Sequence, residues 1–581
     1  MSVRAEADLL EHSPWFDADW YSARYPDVAL AGLEPAVHYL RVGERLGRRP
    51  GPGFDPAWYL AEYPDVASAG ISPLMHFLRH GEAEGRLPQR LEALALEQEL
   101  WRRHAADPAP SRDALHELLD VAGREASYAA WALARWYAWQ EEWTRVAGLL
   151  AERDHGAAQA LPRDFAPRLL EVEALMRLAR FEPAAQRLAA LEAVAPDYHD
   201  AALARANLLA ARAQAAGEPG RFDAERLALI NGVWRRQGLA EVEPADPAAP
   251  LSLDNLAFHA SQRTPSPSPL TPNPSRLTLH PSRLTPNHSP FTIHHSPLTP
   301  NHSPFTVNHS PLTPNPSRFT PHPSPLITVI VPAYHAAQSL PTALASLAAQ
   351  RGVRLEVIVV DDASPDATAA VAEAFAERDA RFRVIRQAFN QGAYAARNRG
   401  LAEARGEFIT VHDSDDWSHP DKLAVQVRGL EAHPEWMACN SHWVRCTPSL
   451  VFGHWRLMQG WVYRNTSALM FRRRVFEVLG YWDRVRVDAD TEYYHRIRAA
   501  FGGQALGEVL PGVPLAFGRV TSGSLTTVGP THLVTQFAGL RHDYQQAALG
   551  WHREAAGDPQ RLYLPAEPDR RPFVAPAAML P

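Results

Sequence analysis

A strict alternation beginning at Leu326 limits how this chain can fold more than any other feature. "LITVIVPAY" is a short apolar run, "SLPTALASLAAQ" has helical spacing, "LEVIVVDDAS" is a second apolar run and "PDATAAVAEAFAERD" a second helix. "FRVIRQ", "NQGAYAARNRGLAEARG" and "EFITVHDSDD" carry the pattern on. Continuous apolar runs of strand length belong to strands buried on both faces, and strand–helix–strand connections supply the helices that cover those faces. The expected fold is therefore an α/β domain with a mostly parallel, Rossmann-like sheet.

In an open sheet of this kind, ligands bind beyond the carboxyl ends of the strands. Asp361 and Asp362 end the second expected strand, while Asp413 and Asp415, with Asp416 beside them, end the fourth. Both acid groups thus reach one edge. After the first strand stands "VPAYHAAQS", where a dinucleotide fold would place G-x-G-x-x-G and a P-loop enzyme G-x-x-x-x-G-K-[ST]. Without either glycine cradle, a diphosphate can still be held by a divalent cation gripped by carboxylates, and closely spaced oxygen ligands suit Mg2+ or Mn2+. Alone, the stretch "HDSDDWSHPDKL" also reads as a polar loop that caps a helix.

Composition removes several classes. At 581 residues the chain exceeds what one core can organise. Lys plus Arg number 58 against 65 Asp plus Glu, a formal charge of -7, which is the wrong balance for a protein that neutralises nucleic-acid phosphates. The two cysteines, Cys439 and Cys446, make no disulfide framework, and with His442 between them they lack zinc-site spacing. The start, "MSVRAEADLLEHSPWF", has no apolar leader and no run reaches membrane-spanning length. The expected location is the cytoplasm, with peripheral association at the inner face of a membrane left open.

Other regions precede the α/β domain. Within residues 13–90, "FDADWYSARYPDVALAGLEPAVHYLRVGERLGRRP" from Phe16 recurs 38 positions later from Phe54, pairing Trp20 with Trp58, Tyr25 with Tyr63, His38 with His76 and Gly43 with Gly81. Such a repeat is expected to be a small unit that packs its aromatics against its twin. Residues 91–260 have helical spacing, with Ala184, Leu188, Leu191 and Pro196 placed as in a tetratricopeptide-like helix pair, and an α-helical, solenoid-like domain is expected there. Its tryptophans Trp131, Trp136, Trp139 and Trp143 have core spacing. Residues 261–325 hold a seven-residue repeat of the type "SPLTPNH", whose prolines forbid helix, and read as an extended, disordered linker. The linker's "NHS" triplets at Asn287, Asn301 and Asn308 match glycosylation acceptors only formally. The α/β domain is expected over 326–530, followed by a C-terminal helix and tail over 531–581.

Six elements in order, "TVIVPAY", "VIVVDDASPDAT", "NQGAYAARNRG", "GEFITVHDSDDW" with "HPDKL", "TSALMFRRRVFEVLGYWD" and "DADTEYYHRI", resemble the family 2 glycosyltransferases of the GT-A fold. The resemblance covers roughly residues 326 to 530. It implies that Asp362, the second acid of its pair, recognises the nucleotide base, with Asp361 in the same nucleotide-sugar-binding set. Asp413 and Asp415 would hold the donor ribose and a divalent metal, Mn2+ or Mg2+, and Arg397 would lie near the nucleotide. Asp490 maps to the catalytic base, although Ala489 stands where the family usually has Glu. Arg519, with Ser522, Ser524 and Thr526, resembles a segment that covers the donor diphosphate, and His542 and His552 are the histidines available to complete a metal sphere.

The implied reaction is an inverting transfer from a nucleotide-diphosphate sugar to a glycan or lipid-linked acceptor, such as a surface polysaccharide, with the helical domain free to take a protein partner. Chemistry agrees independently, because a carboxylate within reach of a sugar hydroxyl can take its proton as it attacks. Two other classes stand beside it. A sugar nucleotidyltransferase should carry a Gly-rich, Arg-containing loop where "VPAYHAAQS" stands, and a non-catalytic scaffold would not keep Asp362, Asp413, Asp415 and Asp490 together.

Overall fold

The structure, a computed structural model, describes residues 3–84, 86–121, 123–151, 165–258, 324–453, 460–520 and 529–581. The expected linker lies outside the described residues except for 324 and 325, as do Ser522, Ser524 and Thr526. Packing sorts the chain into two units. One comprises Met1–Gln237, Asp246–Asn255 and Val444–Tyr463, and the other Gly238–Ala245, Leu256–Trp443 and Arg464–Pro581.

The first unit is helical. In the two repeated stretches, Asp17 and Asp55 cap the helices Ala18–Arg24 and Pro56–Glu62 by accepting from the N–H of Trp20 and Trp58 at 2.9 and 3.0 Å. Tyr21 and Tyr59 are fully buried, and their hydroxyls meet Nδ1 of His38 and His76 at 3.2 and 3.0 Å. These aromatics are core, held by the same bonds in both stretches. The helices Glu92–Arg102, Ala109–Glu117, Arg124–Trp139, Trp143–Ala151, Ala166–Arg177, Phe181–Val194, His199–Ala215 and Asp223–Arg235 follow, each packed on the next. Trp136 lies 5.1 Å from both Trp101 and Trp139, ring centre to ring centre, so the tryptophan spacing serves packing. The excursion Val444–Tyr463 belongs here too. Asn207 holds the peptide of Phe452 in both directions, and Asp200 accepts from the Trp461 N–H at 2.7 Å.

The second unit holds a mixed sheet. Its strands are β1 (Leu326–Ala333), β2 (Arg354–Asp361), β3 (Phe382–Arg386), β4 (Phe408–Val411), β6 (Ala438–Asn440), β7 (Met470–Arg472) and β8 (Leu506–Glu508), in the spatial order β8-β6-β7-β4-β1-β2-β3. A separate pairing joins β5 (Trp417–Ser418) antiparallel to β9 (Pro514–Arg519). β1, β2, β3 and β4 are mutually parallel, β7 runs antiparallel between β4 and β6, and β8 is parallel to β6. The expected mostly parallel sheet is thus parallel on the side of the long strands and mixed beyond β4. Ile327 to Ala333 and Leu355 to Asp361 are buried throughout, as strands covered on both faces must be.

Helices α1 (Leu340–Ala348), α2 (Thr368–Ala376), α3 (Ala393–Ala402), α4 (Lys422–Ala432), α5 (Arg473–Leu479), α6 (Ala489–Phe501) and α7 (Leu540–Glu554) complete the unit. α3 can lie close on β1 because residue 400 is glycine; a Cβ there would fall 2.5 Å from Cγ2 of Ile330. α6 packs through Tyr493, whose ring lies 5.2 Å from Trp482 and 5.6 Å from Phe471 of β7. Residues from before the expected linker also belong here. Glu243–Pro244 pairs with Leu256–Ala257, and the Ala240 peptide is held at both ends: Asp421 accepts from its N–H and Nε2 of His419 donates to its carbonyl, each at 2.8 Å.

Candidate active site

The parallel register of β1 with β2 and β4 brings the two acid groups to one sheet edge, Asp361 level with Ala333 and Val411 level with Ile330. Beyond β4 the chain turns through His412 to Asp416, and the Asp416 N–H closes the turn on the Asp413 carbonyl at 3.2 Å. Burial pushes the His412 imidazole down to about 3, so it is neutral and donates through Nδ1 to the Asp413 carbonyl at 2.8 Å. Asp416 is buried and accepts from the Arg519 N–H at 3.2 Å, while Nε of Arg519 donates to the Asp415 carbonyl at 3.1 Å. Arg519 therefore braces the acidic turn from the end of β9. Lys422 at the start of α4 is also buried; its Nζ reaches Oγ of Ser418 at 3.2 Å. Burial pushes that ammonium down to about 8, against the opposing pull of Asp416 and Asp413.

Asp413 and Asp415 face outward by comparison. The Asp413 side chain is 31% exposed, and its Oδ1 accepts from Nη2 of Arg397 at 2.7 Å. Arg397 is buried; its desolvation would lower its pKa, but Asp413 and its neighbours more than reverse that and hold it fully charged.

Asp362 has a different occupation. It is buried, and its carboxylate accepts from the N–H of Gln391 at 2.9 Å, the N–H of Gly392 at 2.8 Å and Nε2 of Gln387 at 2.5 Å. It thereby folds the loop that launches α3, where Gly392 takes a φ of +89° that a side chain would resist. Asp361 is buried as well, and among the described residues its Oδ1 has no hydrogen-bond partner.

α3 links the remaining parts. Asn398 grips the Trp482 peptide in both directions, at 2.8 and 3.0 Å, which ties α3 to the chain leading into α6. Just before α6, Asp488 adopts a left-handed φ of +71°, held by Nη1 of Arg541 and by Nε2 of Gln545 at 3.0 Å. Asp490 follows in the first turn. The Tyr394 hydroxyl donates to its Oδ1 at 2.9 Å, and the Tyr394 ring lies 4.7 Å beneath the Arg397 guanidinium. Asp490 and Asp413 thus belong to one contiguous cluster.

Sequence reasoning missed Tyr394, Asn398, Gln391 and Lys422, whose roles depend on which elements meet. Other residues go elsewhere. His552 donates from Nε2 to Glu492 at 2.9 Å in a buried cluster with Arg496, so it is not available to a metal at the acidic turn. Cys439 and Cys446 are buried and not joined in a disulfide, and His442 bonds Glu508 at 3.0 Å. Among the described residues, no three His, Cys, Asp or Glu converge as a metal cage. Two partly exposed carboxylates on one turn, Asp413 and Asp415, nonetheless suit a hard divalent cation that draws its other oxygen ligands from a diphosphate and water.

Residues 328–481 match the family model of Glycosyl transferase family 2, so the chain carries a domain of that family. EpsH of Bacillus subtilis is 40% identical over 114 residues, 20% of this chain and 33% of that protein. The succinoglycan biosynthesis protein ExoO of Rhizobium meliloti is 44% identical over 106 residues, 18% of this chain and 30% of its own length. The chain thus spans about a third of the length of these curated relatives. Among solved structures, the mannosyltransferase PcManGT from Pyrobaculum calidifontis, in complex with GDP-Man and Mn2+, is 25% identical over 35% of this chain and 59% of that one. Its TM-score is 0.29, too slight a likeness to carry its ligands over.

Proposed function

We propose that the second unit is an inverting glycosyltransferase of the GT-A type, moving a sugar from a nucleotide-diphosphate donor to a glycan or lipid-linked acceptor in surface polysaccharide synthesis. The observation that supports it is the joining of Asp490 to the acidic turn through Tyr394 and Arg397. A base and a diphosphate-binding turn must face the two ends of one scissile bond, and these side chains hold theirs in one cluster. The succinoglycan relative agrees with the acceptor class.

In this mechanism Asp490 takes the proton of the acceptor hydroxyl as that oxygen attacks the anomeric carbon. The bond to the donor diphosphate breaks with its electron pair leaving on the diphosphate, so a single displacement inverts the anomeric centre. Asp413 and Asp415 would hold a divalent cation, which when bound neutralises charge on the departing diphosphate. Asp361 and Asp362 line the nucleotide end. Asp362 acts there by ordering loop 387–392, and Asp361 brings a carboxylate oxygen that none of the described residues hydrogen-bonds. Arg519 supports the acidic turn beneath the diphosphate.

Thermal unfolding of the full chain against a panel of nucleotide sugars, each with Mn2+, Mg2+ or chelator, tests this. A donor should raise the midpoint only with metal, since a ligand that binds only the folded state stabilises it, and Asp415→Ala should abolish the shift. A panel without any metal-dependent shift, together with no transfer to polysaccharide acceptors, would overturn the proposal.

A further inference from the structure

The bonds around Asp490 are asymmetric. Oδ1 accepts from the Tyr394 hydroxyl at 2.9 Å and from the Thr491 N–H at 2.9 Å. The Asp490 N–H in turn approaches the same hydroxyl at 3.3 Å, so the phenol closes a ring on this one residue. None of the described residues hydrogen-bonds Oδ2, and the side chain is only partly buried. Tyr394 itself is 6% exposed, and its ring is clamped between Arg397 and the packing of α3 on the sheet. A rigid donor of this kind sets the rotation of the carboxylate it bonds.

We propose that Tyr394 is a positioning residue for the transfer step: by fixing Oδ1 it leaves Oδ2 as the oxygen that takes the acceptor proton. This rests on Asp490 being the base. The O–H bond of the acceptor breaks, its proton passes to Oδ2, and the oxygen's electron pair forms the new glycosidic bond as the anomeric C–O bond to the diphosphate breaks with its pair leaving on the diphosphate. Tyr394 exchanges no proton. Through its ring face it also ties the orientation of Asp490 to Arg397 and hence to Asp413, so the base and the donor-holding turn are preorganised together.

Tyr394→Phe tests this in the full chain, because it keeps the ring beneath Arg397 and removes only the hydroxyl. A hydrogen bond to a charged group lost from the transition state should lower kcat by roughly 10- to 100-fold. Donor KM and directly measured donor affinity should stay within about twofold. Introduced into an Asp490→Asn chain, the same change should have little further effect on the residual rate, since it acts through that carboxylate. An unchanged kcat in Tyr394→Phe, or an equal loss in the Asp490→Asn background, overturns the proposal. Full turnover in Asp490→Asn alone would instead remove the assignment of the base, whatever Tyr394 does. A Tyr394→Phe chain that lost donor affinity along with rate would show a structural role only.

Discussion

Nη2 of Arg397 meets Oδ1 of Asp413 at 2.7 Å, while the same guanidinium lies 4.7 Å above the ring of Tyr394. One side chain thus touches both the acidic turn after β4 and the residue that holds Asp490. Among the described residues its Nε and Nη1 are buried without hydrogen-bond partners, so Nη2 carries its hydrogen bond to the acidic turn.

Arg397→Gln should therefore weaken both ends at once. Asp413 loses its orienting donor beside Asp415 and Asp416, and Tyr394 loses the charge above its ring. The expected outcome is a fall in kcat/KM of about 100-fold, corresponding to roughly 3 kcal/mol of lost transition-state stabilisation. Lys in its place should recover little, because an ammonium does not reproduce the planar, stacked guanidinium. Steady-state kinetics of both variants would check this, and a Lys variant near parental activity would contradict it.

Asp490→Asn and Asp362→Asn should separate chemistry from architecture. The first keeps the shape at the start of α6 but cannot take a proton, so turnover should drop by roughly 100 to 10,000 with donor binding retained. The second replaces one of the two accepting oxygens by an N–H2 that opposes a donor whichever way the amide turns, either the Gly392 N–H or the Gln391 N–H with Nε2 of Gln387, and loop 387–392 must loosen. Donor affinity should fall, and folding stability should drop by about 1 to 3 kcal/mol for the unsatisfied donor, seen as a lower melting temperature. Equilibrium donor binding alongside kinetics distinguishes the two patterns.

The edge where the site lies was legible because its acids directly follow long apolar strands, and β1, β2 and β4 run in parallel register as their composition requires. Beyond β4 the signal fades for a physical reason: β6, β7 and β8 are three residues each, too short to display a period. Nothing local marks that Gly238–Ala245 joins the sheet-bearing unit or that Val444–Tyr463 leaves it. Tyr394 stayed hidden likewise. It precedes Asp490 by 96 positions, and only the packing of α3 beside the start of α6 makes them neighbours. Asp362 was recognisable as a strand-end acid, but its partners come from a loop whose fold depends on it.

Glu492, two residues past Asp490, is the carboxylate most easily mistaken for the base. It is buried; desolvation alone would raise its pKa, but Arg496 and His552 outweigh that and hold it low. Glu492→Gln leaves the buried Arg496 charge without its counter-ion and should destabilise the unit by about 3 kcal/mol or more. At temperatures where the variant remains folded, kcat should stay within a few-fold of the parent. A large loss of kcat in fully folded protein would show that Glu492 takes part in proton transfer.

His419 gives the clearest pH dependence. It is fully buried, its Nδ1 accepts from the Asp421 N–H at 3.1 Å and its Nε2 donates to Ala240, so both ring nitrogens are used by the neutral form. Burial pushes its pKa down to about 4, below the value near 6.5 expected of the unfolded chain. Between those values the unfolded chain binds a proton that the folded one refuses. The stabilisation is therefore fully present above about pH 6.5 and is lost as pH falls toward 4, about 2 kcal/mol of it between pH 7 and 5. His412 and His495, at about 3 and about 4, act in the same direction. Amide exchange of β1 and β2 reports the stability of this unit locally. Protection there should decline from pH 7 to 5 after correction for intrinsic exchange rates, and His419→Gln, less stable at pH 7, should show a shallower decline. Equal slopes in parent and variant would mean that His419 takes up its proton in the fold as readily as in the unfolded chain, with Nε2 still donating to Ala240 and only the bond from the Asp421 N–H to Nδ1 given up.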